Sequence, residues 1–181
     1  LVNSLIKDAV SKQPAATKHF MTVVNNHQLS HAYLFCGEAG SGKLVTALAI
    51  TMRLFCDHVQ NGFPCGKCNE CRRISNHQHP DVVLIKPRGQ NIRIDQIRYL
   101  KAEFSKSAVE GNLKVFIIDG ADKMTVSAAN SLLKFIEEPT GNVVSFLLTT
   151  NKSAILPTII SRTQVVELPS VPYQDFYRGL K

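Results

Sequence analysis

The sequence predicts an α/β protein in which a parallel five-stranded sheet is flanked by helices. Short apolar runs alternate with segments of helical periodicity along the chain, which is the order expected of βαβ units. One of these runs, Lys114–Asp119, is apolar at every position between its ends, as a strand covered on both faces should be. A third observation is a glycine-rich loop between the first predicted strand and a helix.

The predicted elements follow one another in a regular order. Strands are expected at His31–Cys36, Val82–Lys86, Lys114–Asp119, Val144–Thr150 and Gln164–Leu168. Helices are expected at Ala15–His27, Lys43–Phe55, Asp95–Lys106, Thr125–Glu138 and Ala154–Ile160. Thr125 should cap the fourth of these helices, and Pro139 with Gly141 should end it. This alternation implies a parallel sheet with helices on both faces.

The composition favours one main domain that has no membrane partner. With 181 residues, of which 44% are hydrophobic and 19% charged, the chain can bury one substantial core. No apolar run approaches the length of a bilayer span, and the N-terminus lacks the pattern of a signal peptide. A cytoplasmic location is therefore expected.

The net charge of +7 favours an anionic partner. Six basic side chains form the densest stretch: Lys86, Arg88, Arg93, Arg98, Lys101 and Lys106. A helix over the second half of this stretch would turn Ile97, Leu100 and Phe104 inward. We therefore interpret most of these charges as a solvated helix face, and direct contact with nucleic acid is the alternative.

A phosphate-binding loop is predicted between the first strand and the next helix. Its residues are Gly37, Glu38, Ala39, Gly40, Ser41, Gly42, Lys43 and Leu44. The glycines allow backbone N–H groups to converge on a phosphate of ATP or ADP, and Lys43 adds a positive charge. Leu44 stands where nucleotide hydrolases have a Ser or Thr whose hydroxyl binds magnesium. The loop is therefore expected to bind nucleotide without hydrolysing it.

Asp119 is the expected outer ligand for magnesium in the second half of a nucleotide site. It ends a buried strand, at the edge where parallel sheets bind ligands. The next residue is Gly120, whereas ATPases of this general plan have a glutamate there that activates water. Asp122 is the nearest substitute, two residues further along. Two independent parts of the hydrolytic apparatus are therefore missing, and we predict a degenerate ATPase.

The cysteines predict a small zinc-binding insertion over residues 56–71. Four of the five cysteines have metal-ligand spacing: Cys56, Cys65, Cys68 and Cys71. Thiolates at this spacing can reach one tetrahedral zinc ion at about 2.3 Å, and Gly62 and Gly66 permit the necessary bends. Four cysteine ligands leave no open position, so the zinc should be structural. Disulfides or reduced structural cysteines are the alternative, and Cys36 is interpreted as a small buried apolar residue.

Three features together resemble one protein family. His31–Phe35, before the phosphate loop, is similar to the first strand of that family, and the cysteine spacing is that of its zinc module. The most specific feature is Asn130–Pro139, which ends in Glu-Glu-Pro like the family's helix after the second acidic motif. The family is the bacterial DNA polymerase III clamp loaders, within the AAA+ class. The resemblance covers nearly all of residues 15–170 and implies a nucleotide-binding domain of the P-loop AAA+ type over residues 1–170.

The resemblance also implies roles for two further residues. Thr150, in the segment Phe146–Asn151, matches the sensor residue that faces the outer phosphate of the nucleotide. Ser161, Arg162 and Thr163 stand where the family has Ser-Arg-Cys. This match implies that Arg162 acts in trans, because a guanidinium beside a neighbouring γ-phosphate neutralises the charge that develops there. A surface arginine after a helix is the alternative.

The family's motor subunits keep a Thr after the lysine and a Glu after the aspartate, so Leu44 and Gly120 indicate a member without intrinsic ATPase activity. The resemblance implies gamma/tau and delta subunits as partners in a hetero-pentamer of the DNA polymerase III holoenzyme. It further implies contact with a sliding clamp, and with primed DNA through the assembly. Residues 171–181 are expected to begin a truncated lid domain, and the helical collar domain is expected to be absent.

Two other functions stay open from the sequence. An active gamma/tau-like motor would use Asp122 in place of the absent glutamate and water in place of the missing hydroxyl. A zinc-bearing DNA-binding module would carry a vestigial phosphate loop. Catalysis by a nucleophilic cysteine is disfavoured, since the cysteines have the spacing of metal ligands.

Overall fold

The computed structural model describes residues 2–106, 112–139 and 141–171. These residues form two compact units. One unit contains the described residues among 1–29, 37–75 and 167–181, and the other contains those among 30–36 and 76–166. All but the first residue of the predicted lid segment 171–181 lies outside the described residues.

The described residues contain five strands, and they confirm the predicted fold class. The strands are β1 Ala32–Cys36, β2 Val82–Ile85, β3 Leu113–Asp119, β4 Asn142–Thr149 and β5 Gln164–Glu167. They form one sheet in the order β2-β3-β4-β1-β5, in which β2 with β3, β3 with β4, and β1 with β4 are parallel pairs. Each predicted strand is present, with its ends within two residues of the expected positions.

The strand register brings three strand ends to one edge of the sheet. Cys36 at the end of β1 pairs with Thr149 at the end of β4, and Asp119 at the end of β3 pairs with Leu148. The carboxyl edge of a parallel sheet is where α/β proteins bind ligands.

Two helices precede β1 in the sequence, and the others lie between successive strands. They are α1 Val2–Lys12, α2 Pro14–Asn25, α3 Lys43–Phe55, α4 Asn69–Ser75, α5 Ile94–Ser105, α6 Val126–Glu137 and α7 Pro157–Arg162. Among the described residues, no helix is both long and apolar enough to cross a membrane.

The core of the sheet-containing unit is apolar and partly aromatic. Phe104 of α5, Phe116 of β3 and Phe135 of α6 form a triangle with ring centroids 5.5–5.8 Å apart. The side chain of Thr125 accepts a hydrogen bond from the backbone N–H of Ala128 at 3.2 Å, which confirms the predicted cap of α6. The cap fixes the start of α6, whose apolar face contributes Phe135 to the aromatic triangle.

The other unit consists mainly of α1–α4 and the loop that carries the cysteines. α1 and α2 both contact α3, and α3 contacts α4. A Cβ atom on Gly62 would lie only 2.4 Å from Nδ2 of Asn25, at the end of α2. Gly62 also has φ +82°, a left-handed conformation that favours glycine, and a side chain there would in addition displace the amide of Asn25.

Three helical segments differ from the prediction. α1 and α4 were not predicted, and the helix expected over Ala154–Ile160 is wrong. A 3₁₀ turn occupies Lys152–Ala154, and α7 begins only at Pro157. Proline lacks the N–H that an interior position needs but suits the first turn, so it sets the start of α7.

Candidate nucleotide-binding and metal sites

The predicted phosphate loop directly follows β1 and leads into α3, whose bounds agree with the prediction. Gly40 and Gly42 have φ +81° and +94°, a left-handed conformation that favours glycine. Gly42 is the N-cap of α3. The first N–H groups of α3 have no partner within the helix, so this end of α3 can receive an anion.

Lys43 lies at the start of α3 with its side chain directed back to the loop. Its Nζ donates to the carbonyl oxygens of Gly37 at 2.8 Å and Glu38 at 2.9 Å. Ser41 is 2% exposed, and its hydroxyl has no hydrogen-bond partner among the described residues. A buried hydroxyl without a partner is costly, and a bound phosphate oxygen would supply one. Leu44 is half-buried and offers no oxygen to a metal ion.

Asp119 and Gly120 lie in the sheet-containing unit. Asp119 is the last residue of β3 and is partly exposed. Gly120 has φ +90°, and a Cβ atom there would lie 3.3 Å from Cγ of Pro87. A glutamate at this position would therefore adopt a conformation that L-residues avoid. The departure from the hydrolase pattern is thus present in the backbone as well as in the side chain.

Asp122 is held by its neighbours. Its side chain is 7% exposed, and Oδ1 accepts a hydrogen bond from the hydroxyl of Thr149 at 2.9 Å. The same hydroxyl accepts from the backbone N–H of Asn151 at 2.9 Å. Thr149 ends β4 and is buried, whereas Thr150, the predicted sensor residue, follows β4 and is exposed. These contacts hold the Asp122 carboxylate beside the end of β4.

Arg162 is the last residue of α7. Its side chain is 58% exposed, and Nε lies 3.4 Å from Oε1 of Glu137 at the end of α6. Glu137 belongs to the Glu-Glu-Pro sequence that the sequence analysis singled out. An ion pair this exposed is worth about 0–1 kcal/mol, so little opposes a different partner for the guanidinium.

The four predicted metal ligands come together. The Sγ atoms of Cys56, Cys65, Cys68 and Cys71 all lie within 4.8 Å of one another. A tetrahedral ion with bonds of about 2.3 Å needs sulfur atoms about 3.8 Å apart, so small shifts suffice. Gly66 has φ +72° between two of the cysteines, as its predicted role in the bend requires. The cluster could therefore hold a metal ion, while Cys36 is buried in β1, outside it.

Backbone N–H groups converge on the sulfur atoms of this cluster. Sγ of Cys65 accepts from the N–H groups of Lys67 at 3.3 Å and Cys68 at 3.2 Å, and Sγ of Cys56 accepts from that of Cys65 at 3.2 Å. Burial opposes ionisation of Cys65, but these N–H donors, with the neighbouring thiols of Cys56 and Cys68, lower its pKa to about 6. Burial raises the pKa of both Cys56 and Cys71. A divalent cation would favour the thiolate form of all four.

A basic group lies on α5 and α6. The pKa of Lys101 is lowered by its partial burial and by the nearby charges of Lys134 and Arg98. Arg98 and Lys134 are exposed, and exposed Tyr99 lies beside Arg98 in the sequence. Positive charges this close together favour the binding of an anionic partner.

Gln13, which no sequence motif predicted as a site residue, is buried and donates a hydrogen bond to the phosphate loop. Pro14 marks the start of α2, and thereby identifies Gln13 as its N-cap. No sequence pattern predicts where the Gln13 side chain points.

Comparisons with known proteins are consistent across sequence and structure. A family profile described as "DNA polymerase III, delta subunit" matches residues 12–172. The chain is 43% identical over 169 residues to DNA polymerase III subunit delta′ of Bacillus subtilis, covering 93% of this chain and 50% of that protein. It is 39% identical over 137 residues to the delta′ subunit of Pseudomonas aeruginosa, covering 75% of this chain and 42% of that protein. The chain spans about half the length of these curated relatives.

Two further comparisons extend the likeness. DNA polymerase III subunit tau of Bacillus subtilis is 35% identical over 164 residues, covering 90% of this chain and 29% of that protein. The crystal structure of a gamma subunit-related protein from Thermotoga maritima is similar in fold, with a TM-score of 0.60 at 23% identity, covering 92% of this chain and 49% of that one. The RuvB Holliday junction branch migration motor of Thermotoga maritima has a TM-score of 0.54 at 13% identity, covering 87% and 44%.

Proposed function

This chain belongs to the DNA polymerase III delta′ family, and we propose that it is the nucleotide-binding-type portion of a non-hydrolysing clamp-loader subunit. In this proposal the chain works with gamma/tau and delta subunits in a hetero-pentamer that places a sliding clamp on primed DNA in the cytoplasm. Its phosphate loop binds ATP or ADP, and its Arg162 serves the ATP site of a neighbouring subunit.

One observation carries the non-hydrolysing part of the proposal. Asp122, the nearest substitute for the missing glutamate, is buried and bonded to Thr149. A general base must be within hydrogen-bond reach of the attacking water, and an engaged, buried carboxylate does not meet that requirement. The left-handed Gly120 occupies the position of that glutamate, and Leu44 removes the second expected contribution, the hydroxyl that binds magnesium. An active gamma/tau-like motor is correspondingly disfavoured.

Binding of nucleotide without turnover is the first expected result. We expect the purified chain to bind ATP in an equilibrium titration and to show no multiple turnover. Lys43→Ala should weaken binding by about 10- to 100-fold, because it removes a charged donor to phosphate. The matched control is Lys18→Ala, at an exposed lysine on α2 of the same unit.

Multiple turnover that Lys43→Ala abolishes and Lys18→Ala preserves would show that the chain is a motor. Zinc retained without affinity for ATP or for other loader subunits would favour the zinc-bearing DNA-binding module with a vestigial loop.

Zinc is the proposed occupant of the cysteine cluster. Four thiolates in a compact, closed set are the ligands of structural zinc sites, and no position is left for water or substrate. Cys56, Cys65, Cys68 and Cys71 would hold the ion, which stabilises the loop between α3 and α4 when bound. The domain division also stays a proposal: residues 1–170 form the AAA+ type domain, and 171–181 begin the lid.

Direct contact with DNA is a second candidate function of this chain. It is favoured by the closeness of Lys101 to Arg98 and Lys134 on α5 and α6. Replacing Arg98 and Lys101 with alanine should weaken binding to primed DNA and reduce the slope of log K against log salt by about 1.8. Fluorescence anisotropy over a salt series measures both quantities.

The matched control for the DNA experiment is the double variant Lys7→Ala and Lys18→Ala. It changes the net charge equally, at exposed lysines of α1 and α2. If both double variants lower the slope equally, attraction to DNA is a matter of net charge, and α5 is not a contact surface.

A further inference from the structure

Gln13 connects two segments that are far apart in the sequence but belong to the same compact unit. The residue lies between α1 and α2 in the sequence and is only 1% exposed. Nε2 donates to the carbonyl oxygen of Ser41 at 2.8 Å and to that of Pro169 at 2.7 Å. Ser41 belongs to the phosphate loop, and Pro169 lies just after β5. Gln13 therefore links the phosphate loop, through hydrogen bonds, to the segment that follows β5.

The two carbonyl groups match the donors of a primary amide. The amide nitrogen carries two N–H groups, and each is used here. With the amide turned over, its oxygen would face two acceptors, so the partners determine the orientation of the group. Removing the donors would leave the carbonyl of buried Ser41 without this partner, which is costly where water does not reach, whereas exposed Pro169 would lose the bond at a lower cost.

Close packing links the same segments independently of hydrogen bonds. A Cβ atom on Gly37 would lie 2.7 Å from Oγ of Ser41 and 3.0 Å from the carbonyl oxygen of Leu168. A Cβ atom on Gly42 would lie 2.9 Å from Cβ of Lys12 at the end of α1. The phosphate loop thus contacts both the end of α1 and the chain after β5, and there is no room for a side chain at Gly37 or Gly42 unless a neighbour moves.

We propose that Gln13 is a positioning residue that makes the phosphate loop and residues 168–171 move together. When a nucleoside di- or triphosphate binds, the loop has to exchange its Lys43 bonds for bonds to phosphate. Any resulting shift of Ser41 is passed through Gln13 to Pro169. This inference rests on the proposed nucleotide binding by the loop and adds the route by which occupancy is communicated along the chain.

The experiment uses Gln13→Met, which keeps the length and approximate volume of the side chain and removes both donors. The matched control is Gln28→Met, at an exposed glutamine of the same unit. Backbone amide chemical shifts are first compared by NMR without nucleotide. The carbonyl groups of Ser41 and Pro169 share their peptide units with the N–H groups of Gly42 and Ser170, so we expect both of these amide signals to shift in Gln13→Met, with Gln28→Met like the wild type. A shift at only one of the two amides, or at neither, would overturn the proposal.

A second measurement adds ADP and separates coupling from a general loss of stability. In the wild type, ADP should shift the amide signals of residues 39–43 and also that of Ser170. In Gln13→Met the ADP-dependent shifts should be confined to the loop, whereas general destabilisation would change signals throughout the unit already without ADP. Equal ADP-dependent shifts at both segments in the variant would overturn the coupling. If ADP shifts no signal in the wild type, nucleotide binding fails, and the nucleotide-free spectra still decide the role of Gln13.

Discussion

Replacing Arg162 with alanine should slow ATP hydrolysis at the neighbouring site of an assembled clamp loader by about 10³–10⁵-fold. A guanidinium in trans stabilises charge that develops on the transferred phosphoryl group, and no other residue at the end of α7 can supply it. Arg162 is suited to this role because its side chain is 58% exposed and, within the part of the chain that the structure describes, pairs only with Glu137 at 3.4 Å. Single-turnover hydrolysis by a loader reconstituted with a full-length version of this subunit measures the effect.

Glu137→Gln is the matched control for this experiment. It removes the same ion pair and keeps the guanidinium, so hydrolysis should stay near the wild-type rate. Assembly of both variants, followed by size-exclusion chromatography, should be unchanged, because an exposed pair contributes about 0–1 kcal/mol. If the loader that carries Arg162→Ala hydrolyses ATP at the wild-type rate, the role of Arg162 in trans is rejected. Equal loss in both variants would mean that the ion pair, and not the free guanidinium, is what matters.

Replacing Cys71 with serine should release the metal ion and destabilise the unit that contains the cysteines. Cys71 is the fully buried member of the four, so the variant cannot substitute water for the lost thiolate without exposing the site. Structural zinc contributes several kcal/mol to folding. At about 2–4 °C per kcal/mol for a chain of this size, the unfolding temperature should fall by about 10 °C or more. Elemental analysis and thermal unfolding under reducing conditions measure the two effects.

Cys36→Ala is the control for the zinc experiment, since Cys36 is buried in β1 and lies outside the cluster. This variant should keep one zinc per chain and lose only the small contribution of a buried sulfur. Chelation of the wild type should reproduce the Cys71→Ser result, and acid should favour release because the ligands must be deprotonated. Less than one zinc per wild-type chain, or unfolding unaffected by chelation, would remove the site.

Periodicity and local chemistry predicted most of the fold. The strands were found because buried parallel strands contain continuous apolar runs, as β3 does between Lys114 and Asp119. The cap at Thr125 was found because capping depends on residues adjacent in the sequence. α1 was missed although its sequence is amphipathic, and α4 was hidden within the cysteine spacing. The error at Ala154–Ile160 came from extending an apolar pattern across Pro157.

The candidate sites also contain some features that neighbouring residues predict and others that only the fold determines. The cysteine cluster was predictable because its ligands lie within sixteen residues, so short turns alone can bring them together. Asp122 looked like a free carboxylate in the sequence, and only the structure shows that Thr149, 27 residues away, engages it. A local motif likewise could not predict that Arg162 is exposed or that it pairs with Glu137.

The sequence by itself determined the five strands, the helices other than α1 and α4, the phosphate loop without its hydroxyl, the metal-ligand spacing and the family, because each depends on neighbouring residues or on a pattern of fixed period. Only the tertiary structure decided which polar groups are engaged: Asp122 with Thr149, Arg162 with Glu137, and Gln13 with both Ser41 and Pro169. Hydrogen bonds over such sequence separations exist only after the backbone has been placed by packing. Their partners are therefore a property of the fold, and no spacing along the chain encodes them.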